Sequence, residues 1–293
     1  MTIFIYPNLE KLHSKECTAE VIEILKSLGV TVLMTPDTNR VFGGKCEEES
    51  TINRAVSQCD IVITIGGDGT ILKIASTAAK HKKKLLGINC GRLGFMASLE
   101  RSELDCLKNL CSGHYETEHR MMLDVMVKSE KRGEATIKTV LNDVVITHDF
   151  KESLNDFTVL ADGIVVSHLR ADGIIFSTPT GASAYALSAG GPLIEPSMDC
   201  IEFTHICPHS LSARAMIFDP NKIIEVRTKA TGKITLRADG GKAISITSDD
   251  SIYIRRSNLS LSVIDIHGDN YFKSISTKLM NNAKEVDEEA QDK

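Results

Sequence analysis

The stretch Ile61-Val62-Ile63-Thr64-Ile65-Gly66-Gly67-Asp68-Gly69-Thr70 decides how the rest of the chain is read. Five residues, four of them Ile or Val and the fifth Thr, favour a short buried strand; the glycines end it, and Ile71-Leu72-Lys73-Ile74-Ala75 favours a helix. Strand, glycine turn and helix N-terminus together make a place for phosphate. Glycines leave the backbone bare, so N–H groups can converge on phosphate oxygens beside the positive end of the helix. Asp68 is out of keeping with that task, because a carboxylate repels phosphate. Its possible uses are to bind a metal, orient a ribose or take a proton from an attacking hydroxyl, or simply to cap the helix.

Outward from this loop, Ile3 to Tyr6 reads as a first buried strand and Thr18 to Leu28 as a helix with Val21, Ile22, Leu25 and Leu28 on one face, stopped by Gly29. Thr31 to Met34 reads as a second strand, and the acidic Glu47 to Glu49 as a solvated loop and helix start. Leu85 to Asn89 is a further strand, running into Cys90-Gly91-Arg92-Leu93-Gly94-Phe95. Strands separated by helices imply right-handed βαβ units on a parallel sheet, where two such loops at strand carboxyl ends face one crevice. Arg92 suits phosphate or a carboxylate partner, and Phe95 a stacked base or the core.

After the helical Arg101 to Leu110 the pattern changes to short β-rich runs. Asp162-Gly163 and Asp239-Gly240 each lie between such runs and signal hairpins. The expected fold is an α/β N-terminal domain with a parallel, Rossmann-like sheet, followed by an all-β, mainly antiparallel, sandwich-like C-terminal domain. The boundary is expected between residues 98 and 118. This gives 1–100, rejoined by a terminal helix within 270–280, then 101–269, and a polar, disordered tail at 281–293.

The chain has 293 residues, 42% of them hydrophobic, with 34 Lys and Arg against 39 Asp and Glu, for a net charge of -5. That balance gives no bulk attraction to nucleic acid or membrane. Acidic ligands must then be captured locally. No run approaches membrane-spanning length and no basic, apolar leader opens the sequence, so a cytoplasmic protein is expected. The 8 cysteines include no Cys-x-x-Cys pair and read as reduced, mostly buried thiols.

Two stretches of the β-rich half carry more polar chemistry than a sandwich needs. Asn142-Asp143 interrupts an apolar strand; an amide beside a carboxylate can read a ribose diol or an adenine edge, or mark a bulge. Between Arg170 and Pro192 hydroxyls, small residues and glycines crowd together, which lets a flat ligand lie against backbone.

Taken together these motifs resemble the NAD kinases. The set comprises Gly66-Gly67-Asp68-Gly69-Thr70, Asn89-Cys90-Gly91-Arg92-Leu93-Gly94-Phe95, Asn142-Asp143, Asp172-Gly173, Ser177-Thr178-Pro179-Thr180-Gly181, Ser183-Ala184-Tyr185, Ser188-Ala189-Gly190-Gly191-Pro192 and Pro208-His209-Ser210-Leu211-Ser212. The glycine loop alone is shared with lipid kinases of the diacylglycerol and sphingosine type. The resemblance implies transfer of the ATP γ-phosphoryl group to the 2′-hydroxyl of the adenosine ribose of NAD, with Mg²⁺ held mainly by the ATP phosphates. It makes Asp68 the general base and puts Gly67, Gly69, Thr70, Lys73 and Phe95 at the nucleotides. Asn142 and Asp143 would hold the adenosine half of NAD, and Arg170, Asp172, Ser183, Ala184, Tyr185 and Ser188 would complete the dinucleotide site. It further implies a homodimer or homotetramer whose neighbouring subunits supply some contacts, with no nucleic-acid or membrane partner. Three positions depart from the family pattern: Asp143 where Glu is usual, Ala182 where Ser is usual, and Gly241 where many members have Gln. The rival readings are a lipid kinase of the diacylglycerol type and a catalytically silent NAD-binding sensor.

Overall fold

The computed structural model describes residues 1–91, 94–129, 134–148, 155–210, 212–229, 234–268 and 275. The chain divides into two compact units, Met1–His119 with the chain from Leu261, and Arg120–Ser260.

The first unit is α/β. It contains β1 (Thr2–Pro7), α1 (Ser14–Ser27), β2 (Thr31–Met34), α2 (Pro36–Val41), β3 (Glu47–Glu48), α3 (Ile52–Gln58), β4 (Ile61–Gly66), α4 (Asp68–Lys80), β5 (Lys84–Asn89), β6 (Leu99–Glu100) and α5 (Leu107–Ser112). Strands run parallel in the order β3-β2-β1-β4-β5, half of a doubly wound sheet. Ile3, Ile5, Ile61, Ile63, Ile65, Leu86 and Ile88 alternate onto the face that buries Cys17, Val21, Ile22 and Leu25 of α1. Gly87 turns the other way and leaves room for α4; a Cβ there would lie 2.8 Å from Ile71 Cδ1.

Local signals placed β1, β2, β4, α4 and β5, did not announce α2 or β6, and erred at two further points. Helix α1 starts four residues before the expected Thr18, behind His13 in a left-handed conformation without a side-chain cap, and Leu28 is its exposed C-cap rather than a core residue. Glu47–Glu48 is an edge strand on β2, not a loop. The expected domain boundary also moves. Leu104, Leu107 and Leu110 pack into the core of the first unit, and so does Ile264, so residues 101–119 stay with it and the chain returns at 261. The proposed helix within 270–280 and the tail at 281–293 lie outside the described residues, except for position 275.

The second unit is a β-sandwich. Its elements are β7 (Glu116–Ser129, the first four residues belonging to the other unit), β8 (Glu134–Val140), β9 (Asp143–His148), β10 (Asn155–Ala161), β11 (Ile164–Ala171), β12 (Gly173–Ser177), α6 (Tyr185–Ser188), β13 (Ile201–Ile206), β14 (Met216–Phe218), β15 (Ile224–Lys229), β16 (Ile234–Ala238), β17 (Ile244–Ile246) and β18 (Asp250–Asp265, which re-enters the first unit at 261). One sheet runs β14-β13-β12-β9-β16-β17, antiparallel throughout. The other includes β11-β10-β15-β18. Val144, Ile146, Phe176, Phe203 and Leu236 of the first meet Phe157, Val159, Val226, Ile252 and Ile254 of the second in one core. Phe176 and Phe203 stack at 4.9 Å. Asp162-Gly163 makes the tight hairpin expected, with φ of 48° and 80°. Asp239-Gly240 also turns with positive φ, but in a wider loop, since the next paired residues are Leu236 and Ile244.

Candidate active site

In the first unit the glycine loop sits at the carboxyl end of β4, where open α/β sheets take their ligands. Gly66 has φ of 153°, and a Cβ there would lie 2.5 Å from Thr70 Oγ1, so only glycine lets the chain turn this tightly into α4. At Gly67 and Gly69 a Cβ would meet open space. Gly67 is the N-cap and Asp68 opens the first turn of α4. Thr70 Oγ1 is buried without a hydrogen-bond partner among the described residues. Lys73 is exposed on α4, one turn after Gly69 and on the same helical face.

The loop after β5 closes onto Asp68. Phe95 N–H donates to Asp68 Oδ2 at 2.8 Å and Met96 N–H to Oδ1 at 3.2 Å. Gly94 is pressed against the same carboxylate; a Cβ there would lie 2.8 Å from Asp68 Cγ. The two glycine-bearing loops expected to share a crevice are therefore joined through Asp68. A carboxylate has about four lone-pair positions, so two donors orient it and leave room for one more hydroxyl. Phe95 is half-buried; Arg92 lies outside the described residues.

In the second unit Asn142 immediately precedes β9 and Asp143 opens it, both buried. Their backbone is held by a residue that the sequence offered only as a turn signal: Asp239 accepts the N–H groups of Leu141 at 2.8 Å, Asn142 at 2.8 Å and Asp143 at 3.2 Å. From the other side, Thr178 Oγ1 donates to Leu141 O and Thr178 N–H to Asn142 O. Gly181 packs flat on Asn142, where a Cβ would fall 2.6 Å from its Cα. Asn142 Oδ1 and Thr180 Oγ1 are buried without a hydrogen-bond partner among the described residues. Ala186 of α6 packs on Val145 and Ile175, which lays Ser183, Ala184, Tyr185 and Ser188 over this face of the sheet. Tyr185 and Ser188 are exposed, Ser183 and Ala184 half-buried.

Strand register adds a second residue that sequence reasoning missed. Ser177 pairs with Asp143 on one side and Glu202 on the other, so the three side chains form a row on one sheet face. Glu202 is fully buried beneath Gly191. Thr204 Oγ1 donates to its Oε1 at 2.8 Å, and Oε2 has no partner among the described residues. Burial pushes Glu202 up to about 7, against the pull of Thr204. Asp143 also rises to about 7, through burial first and then the charges of Asp239 and Glu202. Burial raises Asp239 too, opposed by its three N–H donors.

Arg170 and Asp172 do not join this group within the chain. Asp172 lies five residues from Ser177, about 17 Å along an extended strand. Its Oδ1 meets His148 Nε2 at 3.3 Å. Arg170 is turned to Asp156, with Nε 2.9 Å from Oδ1.

Residues 3–115 match the model for the ATP-NAD kinase N-terminal domain and residues 141–266 that for the ATP-NAD kinase C-terminal domain. The NAD kinase of Clostridium beijerinckii is 37% identical over 237 residues, 80% of this chain and 83% of that one. The NAD kinase of Ruminiclostridium cellulolyticum is 34% identical over 291 residues, 97% of this chain and 99% of its own.

The chain belongs to the NAD kinase family.

Two solved structures share the fold. A yeast NADH kinase complexed with NADH matches with a TM-score of 0.86 at 23% identity, covering 94% of this chain and 86% of its own. An Archaeoglobus fulgidus NAD kinase in complex with ATP gives 0.72 at 22% identity, over 96% and 99%.

The departures from the NAD kinase pattern are accommodated locally. Ala182 is fully buried against Ile194 and Cys200, an apolar setting in which a hydroxyl would lack water. Gly241 O accepts Arg237 Nη1 at 3.0 Å. Among the described residues no helix is long and apolar enough to cross a membrane. Family membership disfavours the lipid-kinase and silent-sensor readings.

Proposed function

We propose that this member of the NAD kinase family phosphorylates the 2′-hydroxyl of the adenosine ribose of NAD with ATP as donor, Asp68 serving as general base. The observation that carries the reading is the clasp on Asp68: a carboxylate at the mouth of a glycine loop, oriented by the N–H groups of Phe95 and Met96. The ribose oxygen attacks the γ-phosphorus, the bond to the β–γ bridging oxygen breaks, ADP leaves, and the hydroxyl proton passes to Asp68. Backbone N–H groups at Gly67 and Gly69, with Lys73, face the phosphate charge. Asn142 and Asp143 hold the adenosine through hydrogen bonds to its ribose and base.

The donor set fits a divalent cation carried on the ATP phosphates. The glycine loop offers the phosphates backbone N–H groups and Lys73, and the cation would travel with the phosphates. Mg²⁺ carried there would neutralise charge on the transferring phosphate.

We infer self-association, supported by the placement of Arg170 and Asp172 at the far end of β12 from Asn142 and Asp143. These residues serve a dinucleotide site of a neighbouring subunit in a homodimer or homotetramer, and the reaction takes place in the cytoplasm.

Purified protein with NAD, ATP and Mg²⁺, read out by an NADP-specific dehydrogenase, tests the reading. Wild type forms NADP, and Asp68→Asn loses about 10²- to 10⁴-fold in turnover with its fold intact. Wild-type turnover in a folded Asp68→Asn protein removes Asp68 from the role.

A further inference from the structure

The row Leu86, Ile88, Cys90 continues past the end of β5 on the sheet face covered by α1. Cys17 lies on the inner face of that helix, and it is fully buried. Both thiols belong to one buried core, close enough that each shifts the other. Both partners are anchored to the glycine loop. Ser14 Oγ, one turn before Cys17, donates to Ile65 O at 3.3 Å, and Cys90 N–H donates to Gly66 O at 3.1 Å. Cys90 also begins the segment whose Phe95 and Met96 N–H groups hold Asp68. A covalent link at Cys90 would thus pull on the clasp around the proposed base.

We propose that Cys17 and Cys90 are a redox modification site: a hydroperoxide oxidises them to a disulfide that draws Cys90 toward α1 and lowers kinase turnover. Cys90 is the attacking sulfur. Its thiol is held below the usual range by its contact with Cys17, with Arg101 assisting, while the same contact and then burial push Cys17 up. The Cys90 thiolate attacks a peroxide oxygen, the O–O bond breaks, and Cys90 becomes a sulfenic acid as the peroxide leaves as water. Cys17 sulfur then attacks the sulfenic sulfur, the S–O bond breaks and a second water departs. Two thiols lose two electrons and two protons, and hydrogen peroxide is reduced to two waters. A dithiol reductant reverses the step. The disulfide itself is independent of the assigned activity; its effect on turnover rests on the proposed role of Asp68.

The test treats the full-length protein with hydrogen peroxide, then alkylates it and maps its peptides without reduction, with NADP formation measured in parallel before and after dithiothreitol. A Cys17–Cys90 peptide is expected, together with a loss in turnover of about 10²-fold, the scale of an ångström displacement at reacting groups, recovered on reduction. In Cys17→Ala the linked peptide disappears and activity persists through the same treatment, while the exposed Cys207 still reacts as an internal control. Absence of the linked peptide from oxidised wild type overturns the site. A mapped disulfide with unchanged turnover, or equal inactivation of Cys17→Ala, overturns its effect on the kinase. An untreated, reduced protein without NADP formation instead indicts the proposed activity and leaves the peptide map to judge the disulfide.

Discussion

Asp239 Oδ1 accepts the backbone N–H of Asn142 at 2.8 Å, across 97 residues of sequence. With the bonds to Leu141 and Asp143 it makes one carboxylate the fixed point of the proposed adenosine site. Asp239→Asn puts an amide NH₂ against N–H donors. Leaving such a buried group unsatisfied costs about 1–3 kcal/mol, so a urea midpoint below wild type is expected, with KM for NAD raised more than KM for ATP. Equal effects on the two substrates would contradict this placement.

Gly94 tests the clasp from the other side. A methyl group at Gly94 collides with the Asp68 carboxylate, and Gly94→Ala is expected to lower turnover by about 10²-fold. The far-UV spectrum and urea midpoint should stay close to wild type. Gly91→Ala, where a Cβ meets open space, is the control.

The buried acids set a pH dependence. Asp143 and Glu202 both rise from the ordinary carboxylate range to about 7. Between these limits the folded chain binds more protons than the unfolded one, so stability falls as pH rises. The stabilisation is complete below pH about 4 and is lost on passing through about 7. Urea midpoints measured from pH 5 to 8 should decline, and Glu202→Gln, which keeps the shape and drops the charge, should flatten the decline. An unchanged slope in Glu202→Gln would show that Glu202 is not among the groups responsible.

Subunit mixing tests the reading of Arg170 and Asp172. Asn142→Ala and Asp172→Ala, each weak alone, should regain activity when unfolded together and refolded as mixed oligomers, because one site then receives both native residues. No recovery, with mixed oligomers present by mass, would place both residues in a site of one chain.

Much of the architecture was legible because it is written locally. The β-branched run before Gly66, the helical spacing of Val21, Ile22 and Leu25, and the positive φ that Asp162-Gly163 accepts each act within a few residues, and each produced the expected element. Boundaries were less legible. Leu104, Leu107 and Leu110 are apolar helical residues in either domain, and only the core they join assigns them.

The sequence by itself determined the strand, glycine loop and helix around Asp68, the parallel sheet, the antiparallel second unit and the family to which the motifs belong. Tertiary structure alone decided that Asp68 is held by Phe95 and Met96, that Asp239 orders Asn142, that Glu202 shares a row with Asp143, and that Asp172 stands at the other end of the strand. The reason is physical. Dihedral preferences and hydrophobic periodicity are set by neighbours along the chain, whereas these contacts depend on strand register and loop closure over tens of residues, which no short window encodes.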